Sequence, residues 1–429
     1  MGFWVRETFA SLRLPGYRTL WIATLLNFAA LWCSIVARGF LTFELTESAA
    51  ALGAMFFGFG LPMLVLAPVG GVIADRLSRK TVMIIVQWSF VATNTAIAIV
   101  VLADAVEFWM LFVAAIAEGA GVALGIPARQ ALIGDLVEED DLGNAVALQQ
   151  VSFNGVRIIA PAIAGALIAV NFVGTGGVYI LQSAVYAASA VVMICVPRVA
   201  AQQPEERISP LRGVIEGIRY VRNRPAILTL VLFVYAVNLT AFTYIVFIPA
   251  IVSDVFDRGS VALGIMTTSI AVGAFATSLP AAAIADRPIG WMVHIWSAFA
   301  FSMLVVAFAL APVYAVALAV GVGLGAAETG FLSLNASLAM RFAHSDYYGR
   351  VNAVMLFGFA LNGLIGLPVG LLADAIGIRE TMSGLGVAST LLVLVVFLYS
   401  RRIDARSNAR APSEGGRAGD ATTAPTAAS

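Results

Sequence analysis

The sequence predicts an all-α membrane protein: twelve transmembrane helices set as two six-helix pseudo-repeats. Three observations predict it. The chain is too apolar to be wrapped by water, its apolar runs come in lengths that match a bilayer, and its two halves echo each other. Hydrophobic residues make up 60% of the 429 and charged residues only 12%, about half the roughly 25% of a soluble domain. Mean hydropathy is +0.93. The formal net charge is zero, so no global field draws the chain to nucleic acid.

A helix that crosses hydrocarbon needs about 20 apolar residues. That ruler places spans at 17–43, 49–74, 81–103, 107–127, 144–170 and 177–196, and then at 225–252, 260–285, 289–311, 313–340, 348–374 and 380–400. The first run, from Tyr17, is too long for a signal-peptide core and lacks a small-residue cleavage site, so it reads as a retained first helix. Many of the 39 glycines sit inside spans, among them Gly58, Gly60, Gly119 and Gly325. In lipid, such small residues let helix backbones approach closely.

Arginine and lysine set the sidedness. Arg6, Arg13, Arg18, Arg76, Arg79, Lys80, Arg129, the run from Arg198 to Arg224, Arg287, Arg341, Arg350 and the arginines from Arg401 onward all fall on one side; Arg258 and Arg379 fall on the other. Both termini and the central segment are therefore expected in the cytoplasm, as an even helix count requires. The expected organisation is a six-helix unit over 1–196, a basic linker over 197–224, a second unit over 225–400 and a disordered tail over 401–429. Within the linker, Pro210–Tyr220 has the pattern of an amphipathic helix on the membrane surface.

The repeat is visible at a shift of roughly 210 residues. Pro68 through Arg76 answers the stretch from Leu279 to Arg287. Ala117-Glu118-Gly119 answers Ala327-Glu328-Thr329, Asn144-Ala145-Val146 answers Asn352-Ala353-Val354, and Asn154-Gly155 answers Asn362-Gly363. Parallel six-helix repeats holding a site near the midplane are the architecture of a rocker-type transporter.

No metal or cofactor is expected. Cys33 and Cys195 lie in apolar stretches, and His294 and His344 have no second ligand at metal spacing. The sequence has no Walker loop, HExxH or GxSxG, so neither ATP hydrolysis nor another enzyme activity is expected.

The run Gly71-Val72-Ile73-Ala74-Asp75-Arg76-Leu77-Ser78-Arg79-Lys80 resembles the signature between the second and third helices of the major facilitator superfamily, with Ser78 in place of the usual Gly. The stretch from Pro127 to Val137, followed by Asn144 to Leu148, is similar to the branch of enterobactin exporters and macrolide-efflux proteins. Ala160-Pro161 loosely resembles the Gly-Pro antiporter motif, and Ala115 stands where many antiporters carry Arg on the fourth helix. The resemblance implies the major facilitator fold, alternating access, a monomer in the bacterial inner membrane and proton-driven export of a small amphipathic compound, siderophore or drug-like. It also implies a conformational latch of Gly71, Asp75, Arg76, Arg79 and Lys80, with Arg129 as the expected partner of Asp75.

Charge at bilayer depth is costly unless it faces a cavity or a partner. Glu118, Glu328, Arg38 and Arg157 lie inside spans. Glu118 is expected to be the main proton carrier, because a carboxyl in a poorly hydrated cavity loads and releases protons near neutral pH. Glu328 is a second carrier or substrate contact. Arg157, which aligns with Ile365 and so belongs to one half alone, is expected to act on Glu118 or hold an anionic group. Arg38 and the polar residues Asn27, Gln149, Asn154, Asn238, Tyr244, Asn335 and Asn362 are candidates for substrate contact, or for helix-bridging hydrogen bonds. A metabolite importer or facilitator on the same fold is the alternative, and a non-transport membrane enzyme or sensor the remote one.

Overall fold

The computed structural model describes residues 10–76, 78–197, 210–284, 287, 289–344 and 347–410. Among them there is no strand. After a short 3-10 turn, Ala10–Arg13, the first half is built of α1 (Pro15–Thr46), α2 (Ala49–Arg76), α3 (Arg79–Leu102), α4 (Phe108–Leu136), α5 (Glu139–Ile168) and α6 (Gly174–Ile194). A short helix, α7 (Pro210–Arg222), precedes the second half. That half holds α8 (Pro225–Asn238), α9 (Ser260–Ile284), α10 (Gly290–Ala309), α11 (Tyr314–Phe342), α12 (Tyr348–Ile376) and α13 (Ile378–Arg410).

Among the described residues, eleven stretches are long and apolar enough to cross a membrane, and the shorter apolar stretch Leu361–Ile376 of α12 is the twelfth. The helices outrun the expected spans. The fourth span was expected over 107–127, yet α4 continues through Pro127 to Leu136; neighbouring helices re-satisfy the backbone group that a proline frees in a membrane helix. The seventh span departs the other way. The sequence reads as continuous over 225–252, but α8 stops at Asn238. The chain goes on as a 3-10 helix (Ala241–Phe247), one α-turn (Ile248–Ala250) and a π-turn (Ile251–Val255). Pro249 has no amide hydrogen to continue an α-helical ladder, and the Thr240 hydroxyl back-bonds to Ala236 O at 2.5 Å. The amphipathic segment expected at 210–220 is helical as α7. The last helix runs to Arg410, past the expected start of the tail; residues 411–429 lie outside the described residues.

Even spans bring both ends of the described chain to one side, here the near side; the other is the far side. Within the first half, α1 packs on α5 and α6, α2 on α4, and α3 on α4 and α6. Within the second, α9 packs on α11, α10 on α11 and α13, and α13 on α8. The halves meet along two seams, α2 with α12 and α5 with α9. Among the described residues, both seams hold close backbone approaches toward the far side. A Cβ at Gly60 would lie 2.5 Å from Gly363 Cα, and one at Gly165 would lie 2.4 Å from Ser260 O, so only glycine permits these approaches. At the far end of the first seam Asp374 caps the start of α2. Its Oδ1 accepts from Ala49 N–H at 2.7 Å. Its Oδ2 accepts from the Ser48 hydroxyl at 2.6 Å and from Ala50 N–H at 3.1 Å. A carboxylate on the orphan amides of a helix start is favoured by both hydrogen bonding and the helix dipole.

Candidate functional site

Between the halves, enclosed by α1, α2, α9 and the broken seventh span, lies a cavity of about 180 Å³. Trp32, Arg38, Phe59, Val246 and Thr267 line it. Trp32 is 4% exposed, and its indole N–H has no hydrogen-bond partner among the described residues. Pro249 and Leu263 also line the cavity, and they face a far-side vestibule of about 800 Å³ that carries Glu44, Glu47, Asp254, Asp257 and Arg258.

Two ion pairs, one partly and one fully buried, flank the cavity. In the first, Arg38 Nη1 donates to Glu118 Oε2. The Ser34 hydroxyl donates to Glu118 Oε1 at 3.1 Å, and Asn94 Nδ2 reaches the same oxygen at 3.4 Å. Ser34 and Arg38 stand one turn apart on α1, so both face Glu118 on α4. Glu118 is 3% exposed, yet its partner Arg38 forms part of the cavity wall. The second pair joins the halves: Arg157 Nη1 on α5 donates to Glu328 Oε1 on α11 at 3.0 Å. Glu328 Oε2 accepts from the Tyr244 hydroxyl of the broken span at 2.7 Å. The Arg157 guanidinium lies 5.0 Å from the centroid of the Trp32 ring, so Trp32 touches both the cavity and the cross-half pair. A cation over an indole face is attracted by the ring quadrupole.

These pairings correct the sequence expectation. Arg157 was expected to act on Glu118 or to hold an anionic group; Glu118 meets Arg38 within one half, and Arg157 meets the Glu328 carboxylate across halves. The reason is azimuth: α5 packs against the second half, and Arg157 points that way.

The remaining polar candidates scatter. Asn27 donates to Gln87 at 3.1 Å. Asn335 donates to Leu230 O at 3.1 Å beside the buried His294, which stacks on Phe331 at 5.0 Å. Asn362 Oδ1 accepts from the Thr243 hydroxyl at 3.0 Å. Gln149 and Asn154 are buried. Asn238 is wholly buried where α8 ends, with both amide atoms unpartnered among the described residues. Of the expected substrate contacts, Arg38 alone lines the cavity. Among the latch candidates, Arg79 binds Asp135 and Ala131 O. Lys80 caps the end of α6 through Ile194 O at 2.7 Å and Val196 O at 2.6 Å. Arg129 sits 4.8 Å over Phe28. All these contacts stay within the first half. Gly71, Asp75 and Arg76 lie on α2, but the side chains of Asp75 and Arg76, and with them the expected Asp75–Arg129 pairing, lie outside what the structure describes. Sequence reasoning missed Trp32, Phe59, Ser34, Asn94 and Asp374. Two signals were there to find: the one-turn spacing of Ser34 and Arg38, and Gly370-Leu371-Leu372-Ala373-Asp374, which repeats the pattern of Gly71 to Asp75.

With this geometry in hand, the chain matches a family model described as transmembrane secretion effector over residues 6–415. The chain belongs to the major facilitator superfamily. Among its relatives in the superfamily, it is 28% identical over 233 residues to the MFS-type transporter YfiS of Bacillus subtilis, covering 52% of this chain and 54% of that one. It is 28% identical over 234 residues to macrolide efflux protein A of Streptococcus pyogenes (53% and 56% covered). To the enterobactin exporter EntS of Escherichia coli it is 25% identical over 216 residues, with 50% of each covered. The matches thus span about half the length of these curated relatives. A crystal structure of a bacterial homologue of the lysosomal transporter Spinster, inward-facing and unoccupied, aligns with a TM-score of 0.71 at 16% identity over 90% of this chain and 96% of that one. The nucleoside transporter NupG aligns with a TM-score of 0.70 at 16% identity, over 89% and 98%. At such identities these two likenesses speak for the fold alone.

Proposed function

We propose that this major facilitator protein is a proton-coupled exporter of a small amphipathic compound, working by alternating access, with Glu118 as the coupling carboxylate. The observation that carries the reading is the Arg38–Glu118 pair, in which the base partner is also cavity wall. While Glu118 is ionised, Arg38 is neutralised and the wall suits an apolar ligand. Protonating Glu118 removes the counter-charge and leaves a bare guanidinium on an apolar surface. That arrangement draws water and expels a neutral or cationic ligand. Proton and ligand therefore compete, which is the logic of antiport. An acidic ligand would instead bind the freed Arg38 and travel with the proton, so a neutral or cationic amphipath is favoured. The acidic vestibule beyond Pro249 and Leu263 suits the exit of a cation.

The basic side holds the chain ends, so the near side is assigned to the cytoplasm of a bacterial inner membrane. In this orientation the closed far-side seams correspond to a state awaiting ligand from inside. Opening outward requires Asp374 to leave the start of α2 and the Arg157–Glu328 pair to part or pivot. Asp75, at the opposite end of the same seam, is the proposed latch of the other state. The names of the relatives, a macrolide-efflux protein and a siderophore exporter, support export over import.

The test uses purified protein in liposomes with an imposed pH gradient, with erythromycin and ethidium as probes. Wild type should accumulate at least one probe against its gradient. Glu118→Gln, which leaves Arg38 without its counter-charge, should lose gradient-driven accumulation and bind both probes more weakly. Undiminished gradient-driven transport by Glu118→Gln would remove that residue from coupling, and accumulation driven in the importing direction would favour the importer.

A further inference from the structure

Helix α7 has two unlike faces, and only one is used among the described residues. Gly217, Val221, Glu216 and Tyr220 turn toward the second half. A Cβ at Gly217 would lie 3.0 Å from Arg350 O, Glu216 pairs with Arg350 at 3.4 Å, and Val221 is 3% exposed. The Tyr220 hydroxyl accepts from His344 N–H at 2.9 Å, and its ring stacks on Tyr347 with centroids 4.0 Å apart. The helix is thereby fastened to the loop that starts α12, the helix that forms one seam with α2.

The opposite face is Ile215, Ile218, Arg219 and Arg222, at the spacing of one helical stripe. The two isoleucines are 57% and 53% exposed, both arginines are exposed, and neither arginine makes an ion pair among the described residues. No acidic residue interrupts the stripe; Glu216 is committed to Arg350. Asn223 and Arg224 alone separate α7 from Pro225, where the seventh span begins, so the helix sits at the membrane boundary.

We propose that this stripe docks anionic phospholipid headgroups of the near-side leaflet, and that the docking acts on α12. Isoleucines that are poorly placed in water enter the acyl boundary. The guanidiniums beside them stay at phosphate level, where their planar forks match phosphate oxygens. Net positive charge without a counter-ion among the described residues selects phosphatidylglycerol over phosphatidylcholine. Because Tyr220, Glu216 and Gly217 bind the α12 entry, a lipid holding α7 also holds the near end of the α2–α12 seam. The proposal rests on the near-side orientation given above but not on proton coupling or substrate.

The full-length protein in detergent is titrated with phosphatidylglycerol or phosphatidylcholine, and retained lipid is counted by native mass spectrometry. Wild type should retain the anionic lipid roughly tenfold better than the zwitterionic one. R219Q/R222Q should bring the two to parity, while I215S/I218S should weaken both. R401Q/R402Q, an exposed basic pair on α13, should keep the wild-type preference. Phosphatidylglycerol should raise the thermal midpoint of wild type but not of R219Q/R222Q. Parity in wild type, a preference untouched by R219Q/R222Q, or an equal loss in R401Q/R402Q would overturn the docking site. Retention without a change in midpoint would overturn the action on α12. Since no substrate is used, failure here leaves the transport reading standing, and failure of Glu118→Gln leaves this one standing.

Discussion

At the scale of single residues, two carboxylates at bilayer depth have different company. Glu118 has a partner on the cavity wall and two neutral donors; Glu328 has a guanidinium and a phenol from two separate elements. Removing one partner of a buried pair costs about 3–5 kcal/mol, because the other charge is stranded, whereas replacing both by apolar residues is often neutral. Arg157→Ala should therefore lower the thermal midpoint markedly, and R157M/E328L should recover most of it while abolishing transport; equal midpoints in the two variants would argue against the pair as a structural bridge. Trp32 is the second residue to probe. W32F keeps a ring over Arg157 but deletes the unpartnered N–H at the cavity. It should weaken erythromycin binding by roughly three- to tenfold, the value of one hydrogen bond, with proton coupling unchanged. Binding equal to wild type would place the ligand elsewhere.

At the scale of elements, the proposed alternating access makes the α2–α12 seam the place where the state of the molecule would be set. Its far end combines a carboxylate cap with backbone contact at Gly60 and Gly363. D374N keeps the size of the side chain but loses the charge that favours a helix start, an effect of about 0.3–2 kcal/mol. We expect D374N to raise the labelling rate of a cysteine placed at Ser253, in the far-side vestibule, by several-fold with an impermeant maleimide. G60V attacks the same closure sterically, since its Cβ would lie 2.5 Å from Gly363 Cα. It should raise the same labelling further and stall transport, while the protein still elutes as a folded species. Labelling unchanged in both variants would mean that the seam does not gate the far side. The broken seventh span belongs to this scale too: its irregular backbone is packed inside the protein and lines the cavity, settings in which such backbone is tolerated at membrane depth.

At the scale of the whole molecule, the proposed orientation makes a simple forecast. Cys195 is exposed at the near end of α6, while Cys33 is buried. A charged, membrane-impermeant maleimide should label Cys195 in inside-out vesicles and spare it in intact spheroplasts, with Cys33 unlabelled in both. Labelling of Cys195 from outside would invert the assignment and, with it, the direction of transport. The two seams and the cavity between them also set how the halves can move: they can rock about the midplane only if the cross-half pair Arg157–Glu328 pivots or parts.

Much of this was legible before folding, and for a physical reason. Membrane residence, helix count and the twofold repeat depend on composition and on run length, which are properties of the chain summed along itself. The bilayer acts as a ruler for them whatever packs against what. Glu118, Glu328, Arg38 and Arg157 stood out for the same reason, since charge in an apolar run is conspicuous without any neighbour. Which charge meets which was not legible. The choice of Arg38 for Glu118, of Arg157 for Glu328 and of Asp374 for the start of α2 depends on depth and azimuth. Those are set only when α5 lies on α9 and α2 on α12. Asn27, Asn335 and Asn362 illustrate the limit. Each is a polar residue in a span, and only the packed helices decide that its amide bridges neighbours instead of facing the cavity.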